Sequence, residues 1–368
     1  MTTRNTIVVL ALVAILAALS SYLYFRGGSD TTLTFPRNEV GIPPVASPTA
    51  SVQLAVPPAQ YIIPMRTHVF QSFNNCGPAT LSMQLSYNNI NETQQTLGQK
   101  LRPYQNPQGD NDDKSVTLAE LADEAINYNL IAFHRPGGSI ELMKQFISND
   151  IPVVVRTWLH PDEDIGHYRL VRGYDETTRE LIQDDSYENK DLRYSYETFM
   201  QMWQPFNYEY LVMVPADKQA IAEAIIADAV DVPTAWQRAL ADAQTESQAK
   251  PDNPYLIFNQ SIAQFHLGNY AEAVRLYESV ATRLPARTLW YQIEPIEAYL
   301  ELGNYERVFA ISDQILNNSN RGYSELYVLR GKAYEKQNNI EAARAEYEKA
   351  VFYNINNQEA KDALARVQ

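Results

Sequence analysis

Hydrophobic positions divide this chain into stretches of different period. Ile7 to Phe25, IVVLALVAILAALSSYLYF, carries no charge and is flanked by Arg4 and Arg26. As a helix it would span about 28 Å, near the hydrocarbon thickness of a bilayer. Residues 1–26 are therefore expected to form a transmembrane anchor, with a signal peptide cleaved near Ala18-Leu19-Ser20 as the alternative. Residues 27–58 turn proline-rich and read as an extended linker that builds no core. From 59 to 216 the pattern is helical first. Leu81 and Leu85 share a face just after Cys76, a polar helix follows near Glu92 to Leu101, and Thr117 with Glu120 makes a capping box. Another helix is expected at Ile140 to Ser148. Strand-like runs then take over: IPVVVRTW (Ile151 to Trp158), GHYRLVRGYD (Gly166 to Asp175), RELIQDD (Arg179 to Asp185) and YEYLVMV (Tyr208 to Val214). Helices followed by an antiparallel strand meander predict an α+β domain.

Beyond residue 217 the strand signal disappears and a repeat begins. LGNYAEAVRLYESV (Leu267 to Val280), LGNYERVFAISDQI (Leu302 to Ile315) and QNNIEAARAEYEKA (Gln337 to Ala350) align without gaps. Gly268, Gly303 and Asn338 fall at the same place in each. A period of 34 to 35 residues with two helices per unit resembles stacked tetratricopeptide repeats, so residues 217–368 are expected to be an all-α repeat domain that holds a protein partner. The third unit matches best, through Gly331, Tyr334, Ala343, Tyr347 and Ala350. Pro285 closes the first unit. Ser261 and Ile296 stand where the first helix of a unit usually has glycine. Helices near Lys218 to Ala229 and Thr234 to Thr245 read as a degenerate leading unit, and Asn357 to Val367 as a solvating cap. An irregular helical bundle is the alternative.

Charge and cysteine count narrow the chemistry. A formal charge of −14 with scattered Lys and Arg offers no stripe for a phosphate backbone, so nucleic acid is not an expected partner. One cysteine excludes an internal disulfide and structural zinc has no ligand set, so no cofactor is called for. Asp110 to Glu120 is acidic but lacks the alternation of a calcium loop and reads as an approach to a helix start.

Cys76 stands where a polar turn becomes a helix, an environment that favours thiolate. A thiol nucleophile needs a base, an orienting group for that base, and donors for an oxyanion. His167 opens a strand directly after Gly166, and Asp185 ends the next strand, where a hairpin would set it beside His167. Gln71 precedes Cys76 by five residues, and its amide is a candidate oxyanion donor. Each residue has a plainer explanation alone: a buried small hydrophobe, a core histidine, a turn.

Together, Gln71 with NNCGPATLSM, IPVVVRTW, GHYRLVRGYD, DDSY and the aromatic helix SYETFMQMW resemble the papain-like cysteine peptidases related to the bacteriocin-processing, double-glycine leader peptidases. The resemblance implies a Cys76, His167, Asp185 triad, Gln71 at the oxyanion hole, and hydrolysis of a peptide or protein substrate. The family's aspartate usually precedes proline, whereas Asp184 and Asp185 precede Ser186 here; Asp185 aligns better, and Asp184 is the alternative. His160 is a weaker rival to His167. The other readings are a peptide-binding scaffold that does not cut, and a thiol acyltransferase. A membrane-anchored, extracytoplasmic location follows from residues 1–26, or secretion if they are removed.

Overall fold

The computed structural model describes residues 52–104, 116–318 and 320–367. The expected membrane segment, the linker up to Ser51 and the acidic stretch Asp110 to Ser115 lie outside them. Among the described residues, no helix is long and apolar enough to cross a membrane.

The first half is built on one antiparallel sheet. Its strands are β1 (Gln60–Ile62), β2 (Ile131–Arg135), β3 (Val153–Trp158), β4 (Gly166–Asp175), β5 (Glu180–Asp185), β6 (Leu192–Ser195) and β7 (Tyr210–Val214). Their order is β2-β7-β3-β4-β5-β6, and β1 shares an edge of β4 with β3, pairing its far end. Of these, β1, β2 and β6 were not expected, and the strands do not form a simple meander. The last strand, β7, inserts between β2 and β3. Its run YLVMV is buried throughout, as a central strand covered on both faces requires.

Helices cover the two faces separately. On one lie α1 (Cys76–Ser86), α2 (Gln94–Leu101) and α3 (Leu118–Ile126), packed on Val154, Tyr168, Leu170, Leu211 and Met213. Helix α1 buries every residue from Gly77 to Leu85, so it is enclosed on all sides and not only along the Leu81 and Leu85 stripe. The capping box of Thr117 and Glu120 opens α3 as the spacing predicts. On the other face α4 (Ile140–Ser148), α5 (Tyr196–Trp203) and α6 (Gln219–Ile226) pack on Val153, Val155, Val171, Tyr210 and Val212.

The helical half contains α7 (Val232–Ala249), α8 (Pro254–His266), α9 (Tyr270–Val280), α10 (Thr288–Tyr291), α11 (Glu294–Glu301), α12 (Tyr305–Asn317), α13 (Ser324–Lys336), α14 (Ile340–Tyr353) and α15 (Gln358–Arg366). The 35-residue period has a backbone cause: Gly268, Gly303 and Asn338 all have positive φ, at 78°, 71° and 60°. Each reverses the chain after the first helix of a unit, in the left-handed conformation that glycine adopts without strain and asparagine tolerates. Gly331 lets two helices touch, since a Cβ there would fall 2.3 Å from the Tyr347 ring. In the first unit Ser261 takes that place and satisfies its hydroxyl by donating to the Ala273 carbonyl at 2.6 Å.

The expected leading unit does not form as a pair. Helix α6 puts Ala222 and Ile226 into the sheet core, whereas Trp236 and Ala239 of α7 join the repeat core. That repeat core also takes in Trp158, Met202 and Phe206 from the sheet half. The Trp158 ring meets Tyr291 edge-on at 5.6 Å between centroids and donates its N–H to Tyr255 at 3.1 Å. Gln292 and Asn259 donate to the carbonyls of Pro205 and Gln204, and Arg287 pairs with Asp164 at 2.7 Å.

Candidate active site

Strand β4 organises the chemistry. Its residues alternate: His167 and Arg169 project to one face of the sheet, Tyr168 and Leu170 to the face covered by α1. The β4–β5 register sets Arg169 opposite Asp185. Consequently the Asp185 carboxylate receives Nε2 of His167, 3.0 Å from both oxygens, and Nη1 of Arg169. The backbone N–H groups of Tyr187 and Glu188 add donors at 2.7 and 2.9 Å. Both partners are enclosed, His167 3% exposed and Asp185 fully buried.

Electrostatics follow from that enclosure. Burial works against the Asp185 charge, but the bond and charge of His167, then Arg169 and the Glu188 N–H, outweigh it and bring the carboxyl down to about 2. Burial lowers the His167 pKa, Asp185 opposes that shift, and the nearby Arg169 guanidinium adds to it. An ionised carboxylate only accepts, so Nε2 of a neutral His167 carries the proton. Nδ1 then holds the lone pair and is the basic nitrogen.

Asp184 belongs to the other face. It accepts Nε of Arg172 at 2.7 Å and the Asp191 N–H at 3.0 Å, so it does not orient His167. His160 lies apart too, half-exposed and bonded to Glu188 and Glu163.

The loop before Cys76 is tied to the end of β5. Gln71 donates its backbone N–H to the Ser186 carbonyl at 2.7 Å, and its Oε1 accepts from the Ser186 hydroxyl at 2.9 Å. The amide nitrogen is therefore the donor end of Gln71. Cys76 is the first residue of α1 and is half-buried. Its neighbour Gly77 is held against Tyr168, where a Cβ would sit 3.4 Å from the ring. Tyr168 is fixed in turn by donating its hydroxyl to the Val116 carbonyl. Cys76 thus opens the helix that packs on Tyr168, the residue that follows His167 in β4.

Four supporting residues escaped the sequence reading. His68 bonds the Asp185 carbonyl at 2.9 Å. Gln94 grips the Gln71 loop, accepting the Ser72 N–H at 2.8 Å and donating to the Phe70 carbonyl at 2.7 Å. Arg169 is held by Thr157 Oγ1 at 3.0 Å and by the Leu159 carbonyl. Tyr291, from the repeats, covers Gly166: a Cβ there would lie 2.7 Å from its ring. Only Arg169 left a signal, a charge inside an apolar strand.

Residues 54–211 match the model of the Peptidase_C39 like family, and residues 324–351 that of the tetratricopeptide repeat. Among solved structures, a protein from Bacillus anthracis described as a C39-like peptidase aligns at 18% identity over 42% of this chain and 97% of its own, with a TM-score of 0.36. A thermophilic tetratricopeptide-repeat protein of Thermus thermophilus aligns at 21% identity over 36% and 73%, with a TM-score of 0.31. The second such domain of human RPAP3, solved with an HSP70 peptide, aligns at 20% identity over 31% and 98%, with a TM-score of 0.27. No curated protein matches the chain.

Proposed function

We propose, for a chain that joins a C39-like peptidase domain to tetratricopeptide repeats, that it is a cysteine peptidase cutting peptide bonds with Cys76, His167 and Asp185. The observation that carries this reading is the buried His167–Asp185 pair at the start of the strand on which the Cys76 helix packs.

In this mechanism Asp185 fixes the proton on Nε2 and the ring orientation of His167. Nδ1 takes the thiol proton, and the Cys76 sulfur attacks the substrate carbonyl carbon. The carbonyl π pair moves to oxygen, where the helix-start N–H and the Gln71 amide are the donors. Collapse of that intermediate breaks the C–N bond, the proton on Nδ1 passes to the leaving amine, and a thioester remains. Water, deprotonated by Nδ1, hydrolyses the thioester and returns the proton to sulfur. Asp185 stays ionised throughout. The repeats hold a protein partner or substrate, and residues 1–26 tether the whole outside the cytoplasm.

The test is cleavage of a peptide library by the full chain, read by mass spectrometry. Cys76→Ser is expected to abolish products, and His167→Ala to lower turnover by about two orders of magnitude or more. Cys76 should alkylate faster below pH 7 than an ordinary thiol of pKa about 8.5, and lose that advantage in His167→Ala. Peptide binding without cleavage, with an ordinary thiol profile, would make the domain a scaffold instead.

A further inference from the structure

Two cavities adjoin along the seam between the sheet half and the repeats. The larger, about 1090 Å³, lies beside the second helices α9 and α12, with Tyr277, Trp290 and Ile311 on its walls. The smaller, about 770 Å³, is bounded by the loop from β3 to β4 and by Trp158 and Tyr255. Asp164, Pro285 and Arg287 line both, so the two form one trough. The first helices are engaged elsewhere. Tyr255 and Asn259 of α8 bond Trp158 and the Gln204 carbonyl, and Gln292, just before α11, bonds the Pro205 carbonyl. A partner of the repeats therefore meets a first-helix face partly covered by the chain's own sheet half, whereas the trough reaches the surface at Ala310 and Gln314 of α12.

Three features of this trough point to a ligand. Its polar groups are not all satisfied from within: Thr288 is 1% exposed, yet its hydroxyl has no hydrogen-bond partner, and Nε of Arg307 is buried without one. Both residues line the larger cavity. Buried polar atoms ordinarily find partners, and one left unmade on a cavity wall marks where a visiting group completes it. The charges are also divided. Asp164 and Arg287 neutralise each other at 2.7 Å where the cavities meet. Beyond that pair the larger cavity carries Arg307, which stands over the Tyr299 ring at 5.3 Å and has no carboxylate in ion-pair distance among the described residues. The smaller carries Asp162 and Glu163, both exposed, with Glu163 also meeting His160. The third feature is place: Ile165, on the wall of the smaller cavity, is followed directly by Gly166 and His167.

We propose that this trough is an exosite for an extended peptide segment of the substrate. The segment sets a basic side chain against Asp162 and Glu163 and an acidic one against Arg307, and its backbone meets the Thr288 hydroxyl. This rests on the peptidase reading for its purpose, and deepens it by naming the surface that holds the substrate and the charge pattern it selects.

The test reads binding instead of cleavage. Random peptides of about twelve residues, roughly 40 Å when extended, with acetylated and amidated ends, are selected on the full chain carrying Cys76→Ser, and their affinities follow from fluorescence anisotropy. Selected peptides should carry a basic and an acidic residue in a fixed order. Glu163→Lys combined with Asp162→Asn should weaken them by about tenfold or more, and a peptide with its basic residue reversed to Glu should recover the loss. Arg307→Glu should behave likewise toward the acidic residue. Thr288→Val should weaken binding about threefold to tenfold without lowering the melting temperature, because the hydroxyl has no internal partner to lose. Selection of no peptide, selection without the charge pattern, or affinities indifferent to these substitutions overturns the proposal. Should a charge reversal not fold, Glu163→Gln and Arg307→Gln supply the comparison. Cleavage by the wild type is scored apart: cleavage without exosite binding strikes this inference alone, and exosite binding without cleavage strikes the peptidase reading alone.

Discussion

Asp185 serves four donors at once, and that sharing sets its behaviour. A carboxylate facing His167 alone would favour the imidazolium, whereas Arg169 takes part of the charge and leaves the imidazole easier to keep neutral. The pH consequence has a definite sign. The Asp185 pKa is lowered on folding to about 2, so its contribution is fully present above the ordinary carboxylate value of about 4 and is lost as pH falls toward 2. Urea unfolding between pH 5 and 2 should show about 2 kcal/mol of this loss in the wild type, and Asp185→Asn should lack that component. The same variant strands Arg169 in the interior, a change expected to cost roughly 3–5 kcal/mol at neutral pH. Turnover should fall by about two to four orders of magnitude because the tautomer of His167 is no longer fixed. An Asp185→Asn variant with wild-type turnover would remove the residue from the mechanism.

At the scale of elements, β4 shows both what a sequence reveals and what it hides. The run GHYRLVRGYD does not alternate cleanly because it is buried on both faces, and its two arginines are matched by acids one strand away. A register shift between Val171 and Gly173 also changes the alternation at Arg172. Nothing local records these facts. Strands β2 and β6 were missed for a related reason: they are short, largely half-buried and at the sheet's two edges, so neither shows a sustained period. By contrast, the capping box before α3 and the left-handed residues of the repeats were legible because local backbone chemistry dictates them. The pairing of His167 with Asp185 was accessible through strand order alone. The role of Tyr291 was not, since its contact with Gly166 is long-range. Gly166→Ala would push a methyl group into that ring and should cost about 1–3 kcal/mol, with reduced turnover. Combining it with Tyr291→Ala should give a non-additive energy of about 1 kcal/mol or more in a double-mutant cycle; strict additivity would mean the two residues do not touch.

For the whole molecule, the distinction between a sheet-bearing half and a helical half is one of secondary structure, not of cores. Trp158, Met202 and Phe206 of the sheet half are buried in one core with the repeats. Deleting residues 217–368 should therefore yield a fragment that aggregates or binds a hydrophobic dye, with no sharp thermal transition. A soluble 59–216 fragment that unfolds cooperatively and retains peptide cleavage would contradict this. Such a deletion cannot ask whether the repeats deliver substrate, because it also strips the sheet. Point changes on the outer repeat surface, such as Lys349→Glu beside the exposed Phe352, address delivery without that damage.

The contact of Tyr291 with Gly166 bears on how the protein is made. Synthesis runs from the N-terminus, so the strand bearing His167 leaves the ribosome while α6 to α10 are still to come. Throughout that interval the histidine's strand has no lid of aromatic carbon over its first residue. A residue made more than a hundred positions later closes over that glycine.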